Sequence, residues 1–313
     1  NESTLALAGW ASSAYRAGHW TQAHALFAKA LAMYARNGGR PQLTQVYAAQ
    51  KACVLEGLRA DRASAQARCR QAQAWSAGGF GADSALHGDS LEATAFGEVE
   101  AGDLAGARKL FEAARQRYGS DPANRMRTGR VDSELAGIAL LEGQPALARA
   151  LLPEAIAGLR TRKYRMPPLI AEARLLLACS RSPGPQCPQA LPATVDRDLA
   201  AVASRSDPQL LWVHTLLAQV ELEHGEAGRA RARLAVAIPR ASHELPAAHP
   251  RRLAAQLWLA VAAARGGDCA YAAAQTTAVR AIIEAADLAS HPELASASAL
   301  LRRPIASCHA LLN

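Results

Sequence analysis

Residues Glu100–Ala114 read EAGDLAGARKLFEAA, and stretches with the same pattern recur along the chain. A turn residue, Gly102, is followed five positions later by the small Ala107, four later by the bulky Phe111 and three later by the small Ala114. The same succession starts at Gly18, Gly143 and Gly225, and in weaker form at Ala60 and Gly267. This recurrence indicates a structural unit rather than a by-product of alanine-rich composition.

The spacing between these turn residues is nearly constant. Positions 18, 60, 102, 143, 225 and 267 are separated by 42, 42, 41, 82 and 42 residues. Because the longest interval spans two units, a degenerate unit is expected near Pro185, where Ser182–Pro185 has the composition of a turn.

Each unit is interpreted as two helices joined by a tight turn. The small residues let the helix backbones approach, and the bulky residue fills the space between them. One hairpin cannot bury both of its apolar faces, so neighbouring hairpins are expected to stack into a solenoid. The alternative is an ordinary helical bundle in which the alanine spacing is coincidental.

Composition agrees with a helical protein. The 313 residues are rich in Ala, Leu and Arg, which favour helix, and only 5% are aromatic. The longest apolar run, Leu257–Ala264, is far shorter than the roughly 20 residues that a membrane-spanning helix needs. No basic and apolar leader precedes the first unit, so we expect any targeting segment to have been removed.

The net charge of +8 raises the question of nucleic-acid binding. The arginines are spread over every segment, and the one local cluster consists of Arg160, Arg162, Lys163 and Arg165. Aromatic residues able to stack on bases do not interleave with that cluster. A solvated, arginine-rich surface is therefore favoured, and no nucleic-acid partner is expected.

The repeated pattern resembles the second half of the tetratricopeptide repeat (TPR), G-x-x-x-x-A-x-x-x-F-x-x-A. Trp20 and Leu104 occupy its semi-bulky position two residues after the glycine. The small position of the first helix falls on Ala11, Cys53, Ala95, Ala136, Ala178, Ala218 and Ala260. The chain departs from the family at the fifth unit, and most consensus Trp and Tyr residues of the first helix are absent.

The period near 42 exceeds the usual length of a tetratricopeptide repeat. It is similar to the long-helix subclass found in kinesin light chains and many bacterial signalling proteins. His249-Pro250 and His291-Pro292, each just before a predicted helix, resemble the His-Pro pairs common in that subclass.

The resemblance implies an all-α solenoid, a right-handed superhelix of about seven helical hairpins with a C-terminal capping helix. We expect one solenoid domain over residues 1–313. Its units are predicted at approximately 3–40, 41–80, 84–122, 128–163, 167–204, 208–245 and 249–288, with the cap at 291–313.

The six cysteines lack the spacing of a structural zinc site, so no metal is expected. The repeat register places Cys53 and Cys69 on one intra-hairpin seam, and Cys179 and Cys187 flank the turn of the degenerate unit. Cys269 and Cys308 remain as the third pair, joining the last full unit to the terminal helix. Such local disulfides favour an oxidising compartment, the bacterial periplasm. The alternative is six buried thiols in a cytoplasmic protein.

Catalytic signatures are missing from the sequence. It contains no G-x-S-x-G elbow, no H-E-x-x-H and no Walker lysine motif. The glycine-rich Gly78–Gly81 segment lacks a following lysine and is interpreted as a flexible connection between hairpins. We therefore expect neither an enzyme nor a cofactor.

In the family that the chain resembles, the first helices line a concave groove that binds a protein or a peptide. Chaperone-binding members have a clamp of basic residues, the two-carboxylate clamp. It is absent here, since its positions hold Ala8, Gln50, Glu92 and Ser133. Carried over position by position, the resemblance implies a groove formed by Tyr15, Arg16, Tyr47, Gln50, Val54, Asp89, Glu92, Phe96, Arg130, Ser133, Trp212, Thr215 and Gln219.

These features predict a non-catalytic binding or sensing module. The repeat length and His-Pro pairs are similar to the extracytoplasmic repeat region of some bacterial eukaryote-type Ser/Thr kinases. On that analogy the chain itself is soluble and is tethered to a membrane in the full-length protein. The alternative is a cytoplasmic scaffold, or the regulatory repeat region of a transcriptional activator, with reduced cysteines.

Overall fold

The computed structural model describes residues 2–37, 41–59, 61–160, 165–202, 207–302 and 308. Within those ranges the chain is all α-helical and has no strand, as predicted. The helices are α1 Glu2–Ala17, α2 Trp20–Asn37, α3 Leu43–Leu58, α4 Arg62–Phe80, α5 Ala85–Glu100, α6 Leu104–Tyr118, α7 Arg125–Leu141, α8 Pro145–Leu159, α9 Met166–Arg181, α10 Leu191–Ala200, α11 Gln209–Glu223, α12 Ala227–Ala241, α13 Pro250–Arg265, α14 Cys269–Ala285 and α15 Pro292–Arg302.

The predicted turn glycines end the first helices of their units. All five adopt a left-handed backbone, with φ between 74° and 86°, at Gly18, Gly102, Gly143, Gly225 and Gly267. Side chains other than glycine rarely adopt this conformation, because Cβ crowds the backbone. The sixth expected turn residue, Ala60, lies outside the described residues, as do Arg162 and Lys163 of the basic cluster.

The predicted small positions lie at the centres of the helix–helix seams. The first-helix series is fully buried, at 0% exposure for Ala11, Cys53, Ala95, Ala136, Ala178, Ala218 and Ala260. The bulky positions of the second helices are equally buried at Phe27, Phe111, Leu152 and Leu234. The repeat register deduced from the sequence is therefore confirmed.

Helix capping explains the rest of the EAGDLAGARKLFEAA stretch. The side chain of Asp103, directly after the turn glycine, accepts a hydrogen bond from the backbone N–H of Gly106 at 2.8 Å. Such an acceptor satisfies one of the unpaired N–H groups at a helix start and stabilises α6 by about 1 kcal/mol. Asp61 and Asp268 cap α4 and α14 in the same way.

The His-Pro pairs also act as caps. Nδ1 of His249 accepts a hydrogen bond from the backbone N–H of Arg251 at 3.2 Å, and Pro250 occupies the first position of α13. Proline is favoured there because its missing N–H would have no partner inside the helix. His291 accepts from the N–H of Glu293 at 3.3 Å in the same manner.

The predicted degenerate unit is present and is shorter than the others. After the turn at Ser182–Pro185, the second helix α10 has 10 residues, whereas the other second helices have 15 to 19. The expectation of a flexible Gly78–Gly81 connection is wrong, because α4 continues through Phe80 and Gly81 is its C-cap, with φ of 96°.

The chain forms two compact parts, each containing several helical hairpins. The first unit, from here on, is Asn1–Leu135 with Arg205–Asp207, and the second unit is Ala136–Ser204 with Pro208–Asn313. In the first unit the hairpins α1–α2, α3–α4 and α5–α6 pack internally, and α3 packs against α5. In the second unit α9 packs against α8 and α11, and α13 packs against α11, α12, α14 and α15. Contacts between successive helices within each unit are those of a repeat fold. The single-domain assignment and the superhelical hand stay predictions.

Three disulfides join the cysteines in the expected pairs. Their Cα–Cα distances are 5.0 Å for Cys53–Cys69, 5.7 Å for Cys179–Cys187 and 5.5 Å for Cys269–Cys308, all usual separations. Cys308 lies in an apolar cluster with Ala263, Ala264 and Ala272. The third disulfide thus ties a residue beyond α15 to the last full hairpin.

Candidate functional site

A lysine flanked by two tyrosines lies on the first helices of the first unit. The Nζ atom of Lys51, on α3, is 4.9 Å from the ring centre of Tyr15 on α1 and 5.3 Å from that of Tyr47 on α3. Tyr47 is 42% exposed. Cation–π contacts of this kind hold an ammonium group in place without neutralising it. We refer to Tyr15, Lys51 and Tyr47 as the Tyr–Lys–Tyr cluster.

A network of charges lies beside this cluster on α5 and α7. Arg130 donates to both carboxylate oxygens of Glu92, at 2.7 and 2.8 Å. Arg127 donates to both oxygens of Asp89, at 2.9 and 3.2 Å. The hydroxyl of Tyr118, at the end of α6, is 2.8 Å from Glu92 and 3.0 Å from Asp89. Both carboxylates are therefore engaged by guanidinium groups.

The pKa values follow from this geometry. Burial opposes ionisation of Glu92, but the Arg130 charge and the hydrogen bonds from Arg130 and Tyr118 outweigh it, so the pKa of Glu92 lies below its usual value. Burial and the neighbouring carboxylates raise the pKa of Tyr118 well above that of a free phenol. Burial opposes the charged form of Arg130, but the Glu92 carboxylate outweighs this effect, so the pKa of Arg130 lies above its usual value. The network thus holds fixed charges at neutral pH.

Gln50 joins three helices beneath this surface. Its Nε2 donates to Oγ of Ser90 at 2.9 Å and to the carbonyl of Leu86 at 3.2 Å, and Ser90 donates to the carbonyl of Ala72 at 3.2 Å. A buried amide group that donates two hydrogen bonds positions its neighbours. Gln50 accordingly connects α3 to α5, and through Ser90 to α4.

The structure distributes the predicted groove residues over different depths. Arg16 and Tyr47 are exposed. Those at intermediate depth are Tyr15, Asp89, Phe96, Arg130, Thr215 and Gln219, and those that are buried are Gln50, Val54, Glu92, Ser133 and Trp212. Phe96 packs edge-on against Phe111, with ring centres 6.0 Å apart. The exposed aromatic surface among the predicted positions is thus concentrated at Tyr47.

Three predicted residues belong to the second unit. The guanidinium of Arg251 covers the ring of Trp212 at 3.9 Å. The hydroxyl of Thr215 donates to the carbonyl of Leu211 at 2.7 Å, and the side-chain oxygen of Gln219 accepts from Arg181 at 3.0 Å. Each of these side chains makes an internal contact of its own unit.

Sequence reasoning missed Lys51, Tyr118 and Arg127. The sequence could have indicated Lys51, because this residue follows Tyr47 by four positions and therefore lies on the same face of the helix. Tyr118 ends a second helix, outside the groove positions that the resemblance supplied. Arg127 lies 38 positions from its partner Asp89, so its role emerges only from the packing of α5 and α7.

The described residues include no group of three or more His, Cys, Asp or Glu side chains placed to hold a metal ion.

Across the described ranges, no helix combines the length and apolarity needed to cross a bilayer.

Comparisons with known proteins give a match among solved structures. No protein-family model matches the chain, and no curated protein matches it. Among solved structures it is similar to a Podospora anserina kinesin light chain with nearly identical TPR-like repeats. The TM-score is 0.36 and the identity 17%, over 80% of this chain and 99% of that chain. A TM-score this low does not establish a shared fold. The assignment of the protein to the class of all-α helical-hairpin repeats therefore rests on the helices and seams described above.

Proposed function

We propose that the chain is a non-catalytic, TPR-like module that binds a protein or peptide through the first helices of its first unit. The observation that carries the proposal is the Tyr–Lys–Tyr cluster. Lys51 makes no ion pair with any carboxylate in the described part of the chain, and the Tyr47 ring beside it is exposed. Rigid aromatic rings with an adjacent cation are typical of protein-binding surfaces.

The charges around the cluster favour an acidic partner. Arg16, Lys51, Arg127 and Arg130 supply four positive charges. Asp89, Glu92 and Asp207 supply three negative ones, and Arg127 and Arg130 already engage Asp89 and Glu92. Lys51 is therefore the cation with which a carboxylate of a bound peptide would pair. Complementary charge of this kind contributes mainly to specificity and association rate.

The proposal extends to an extracytoplasmic location. Three disulfides, each local in the fold, support an oxidising compartment such as the periplasm. With the repeat length and the His-Pro caps, they support a sensor domain of a membrane-tethered receptor, a Ser/Thr kinase in the first instance. The cytoplasmic scaffold or activator region requires the same cysteines to be reduced.

The binding test uses a phage-displayed library of random peptides selected on the immobilised chain. We expect enrichment of peptides that carry Asp or Glu beside apolar residues. Tyr47→Ala and Lys51→Gln should weaken a selected peptide at least about fivefold in fluorescence polarisation, as expected for loss of an aromatic or charged anchor.

Two variants serve as matched controls. Tyr271 is 37% exposed with the Arg231 guanidinium 5.0 Å from its ring, but it lies on a second helix, α14. Lys109 is an exposed lysine on α6. Tyr271→Ala and Lys109→Gln should bind as the parent does. Equal binding by the Tyr47 and Lys51 variants, or a library that yields no peptide, contradicts the proposal.

The compartment is tested separately by titrating thiols in protein denatured directly from its native source. An oxidising compartment predicts no reactive thiol before reduction and six after it. Three or more free thiols before reduction would favour the cytoplasmic alternative.

A further inference from the structure

In the degenerate hairpin, α9–α10, the second helix is short, and this leaves a cavity within the second compact unit. Its volume is about 360 Å³, it is partly open to solvent, and α9, α10, α11 and the start of α12 line it. In the other hairpins a second helix of 15 to 19 residues packs along its partner, whereas α10 has 10. The volume lies at the lower end of the range of ligand sites, roughly 300–1,000 Å³.

The body of the cavity is apolar. Leu176 of α9, Leu191 of α10, and Leu217 and Val220 of α11 line it. The Cys179–Cys187 disulfide forms part of the wall and fixes the turn that leads into α10. The cavity therefore has a covalently held wall, which limits its collapse when it is empty.

The charged groups at the cavity leave one carboxylate uncompensated. Arg233 donates to both oxygens of Glu221, with a shortest distance of 2.7 Å. Arg229 donates to Glu226 at 2.7 Å and lies 3.8 Å from Glu221. Both cations thus have carboxylate partners. Asp196, on α10, lines the same cavity from a solvent-exposed position and makes no ion pair or hydrogen bond with the described residues.

We propose that this cavity binds a small molecule that combines a compact apolar body with a positively charged amine. The leucines surround the body, and Asp196 faces the amine. The apolar lining supplies most of the affinity for such a ligand, and the single free carboxylate selects its charge. This site lies in the second unit and does not depend on the peptide-binding surface proposed for the first.

The test uses two probes with the same ring and opposite charge, naphthylethylenediamine and naphthylacetate, measured by titration calorimetry on the full chain. His224 also faces the cavity, so binding is measured at pH 8, above the range in which histidines ordinarily gain a proton. The amine should bind with one site per chain and at least about tenfold more tightly than the acid, a difference near 1.4 kcal/mol.

Two substitutions test the residues. Asp196→Asn should lower the preference for the amine about three- to fivefold, the effect of losing one partly exposed ion pair. Leu176→Trp should fill the cavity and weaken both probes at least about tenfold. The matched controls are Asp198→Asn, two positions away on α10, and Leu147→Trp, a partly exposed leucine on α8. Both should bind the amine as the parent does.

Four outcomes would overturn the proposal: no binding of the amine, equal binding of the two probes, an Asp196→Asn variant that keeps the full preference, or a folded Leu176→Trp variant that still binds. If circular dichroism shows that Leu176→Trp does not fold, the charge preference and its loss in Asp196→Asn decide the matter.

Discussion

Arg130 and Glu92 join two consecutive first helices through two parallel hydrogen bonds of 2.7 and 2.8 Å. The pair spans 38 positions in sequence, close to one repeat. Tyr118 reaches the same carboxylate from the second helix α6. Stacking of first helices in this part of the chain therefore depends on a charged contact as well as on the small residues of the seams.

Replacing Glu92 with Gln should destabilise the protein. Glu92 is buried, and the variant leaves Arg130 without its bidentate partner. We expect the free energy of unfolding to fall by about 1–3 kcal/mol, measured by urea denaturation followed by circular dichroism. Glu98→Gln, six positions along the same helix, should change it by less than about 0.5 kcal/mol. Equal stability of the two variants would show that the pair is dispensable.

The contribution of Glu92 should depend on pH in a defined direction. The pKa of Glu92 is lowered in the folded state, because Arg130 and Tyr118 favour its ionised form despite burial. A lowered carboxyl pKa stabilises the fold above the ordinary glutamate pKa and loses that effect as pH falls through the lowered value. The stability gap between the parent and Glu92→Gln should thus narrow in acid. A gap that widens below pH 4 contradicts the assignment.

The seams were predictable from sequence because they obey a strict steric rule. Two helix backbones approach closely only where side chains are small, and that requirement left Ala107 and Ala114 at fixed spacing around Phe111. The corresponding positions of the other repeats that show the pattern are buried for the same reason. The degenerate unit was likewise predictable as an interruption of the spacing.

The candidate sites were less predictable because polar side chains carry no such spacing. Arg127 and Asp89 meet only after α5 and α7 pack together, and either residue alone resembles any solvated surface residue. The sequence placed a break near Pro185 but did not show that the short α10 leaves a cavity. Of the missed residues, Lys51 alone had a local signal, its position one helical turn after Tyr47.

His249 should make the protein acid-sensitive. Burial, together with the positive charge of Arg251, lowers the pKa of His249 to about 3. The unfolded chain therefore takes up a proton below about pH 6.5 that the folded chain resists, and stability falls as pH falls through that window. Between pH 7 and pH 5 the loss for one such histidine is about 2 kcal/mol.

The measurement compares thermal unfolding of His249→Asn with that of the parent at the two pH values. Asparagine is a good N-cap residue and does not titrate, so the variant should lose less stability between pH 7 and pH 5. His243→Asn, at an exposed position, should retain the acid sensitivity of the parent. Identical pH profiles for the parent and His249→Asn would refute the assignment.

The three disulfides should differ in their resistance to reduction. Cys53 and Cys69 are both buried. In the third pair Cys308 is buried against Ala264 and Cys269 is partly exposed, whereas Cys179 and Cys187 are both partly exposed. Reduction requires a thiolate to reach a sulfur atom, so Cys179–Cys187 should be reduced first under native conditions. Timed alkylation and mass spectrometry of the peptides measure the order. Earlier labelling of Cys53 or Cys69 would contradict the expected order, and simultaneous labelling of all six would point to global unfolding.

Gly143 and Gly228 provide a matched test of why glycine stands at the turns. A Cβ atom added at either position meets no atom within 4 Å, so neither substitution with alanine creates a clash. Gly143 has a φ of 74° in the turn before α8, whereas Gly228 lies in α12. Gly143→Ala should therefore cost about 1–2 kcal/mol through backbone conformation alone. Gly228→Ala should stabilise the protein by up to about 1 kcal/mol through helix propensity. Urea denaturation measures both, and a stabilising Gly143→Ala would mean that the turn glycines owe their recurrence to something other than the left-handed backbone.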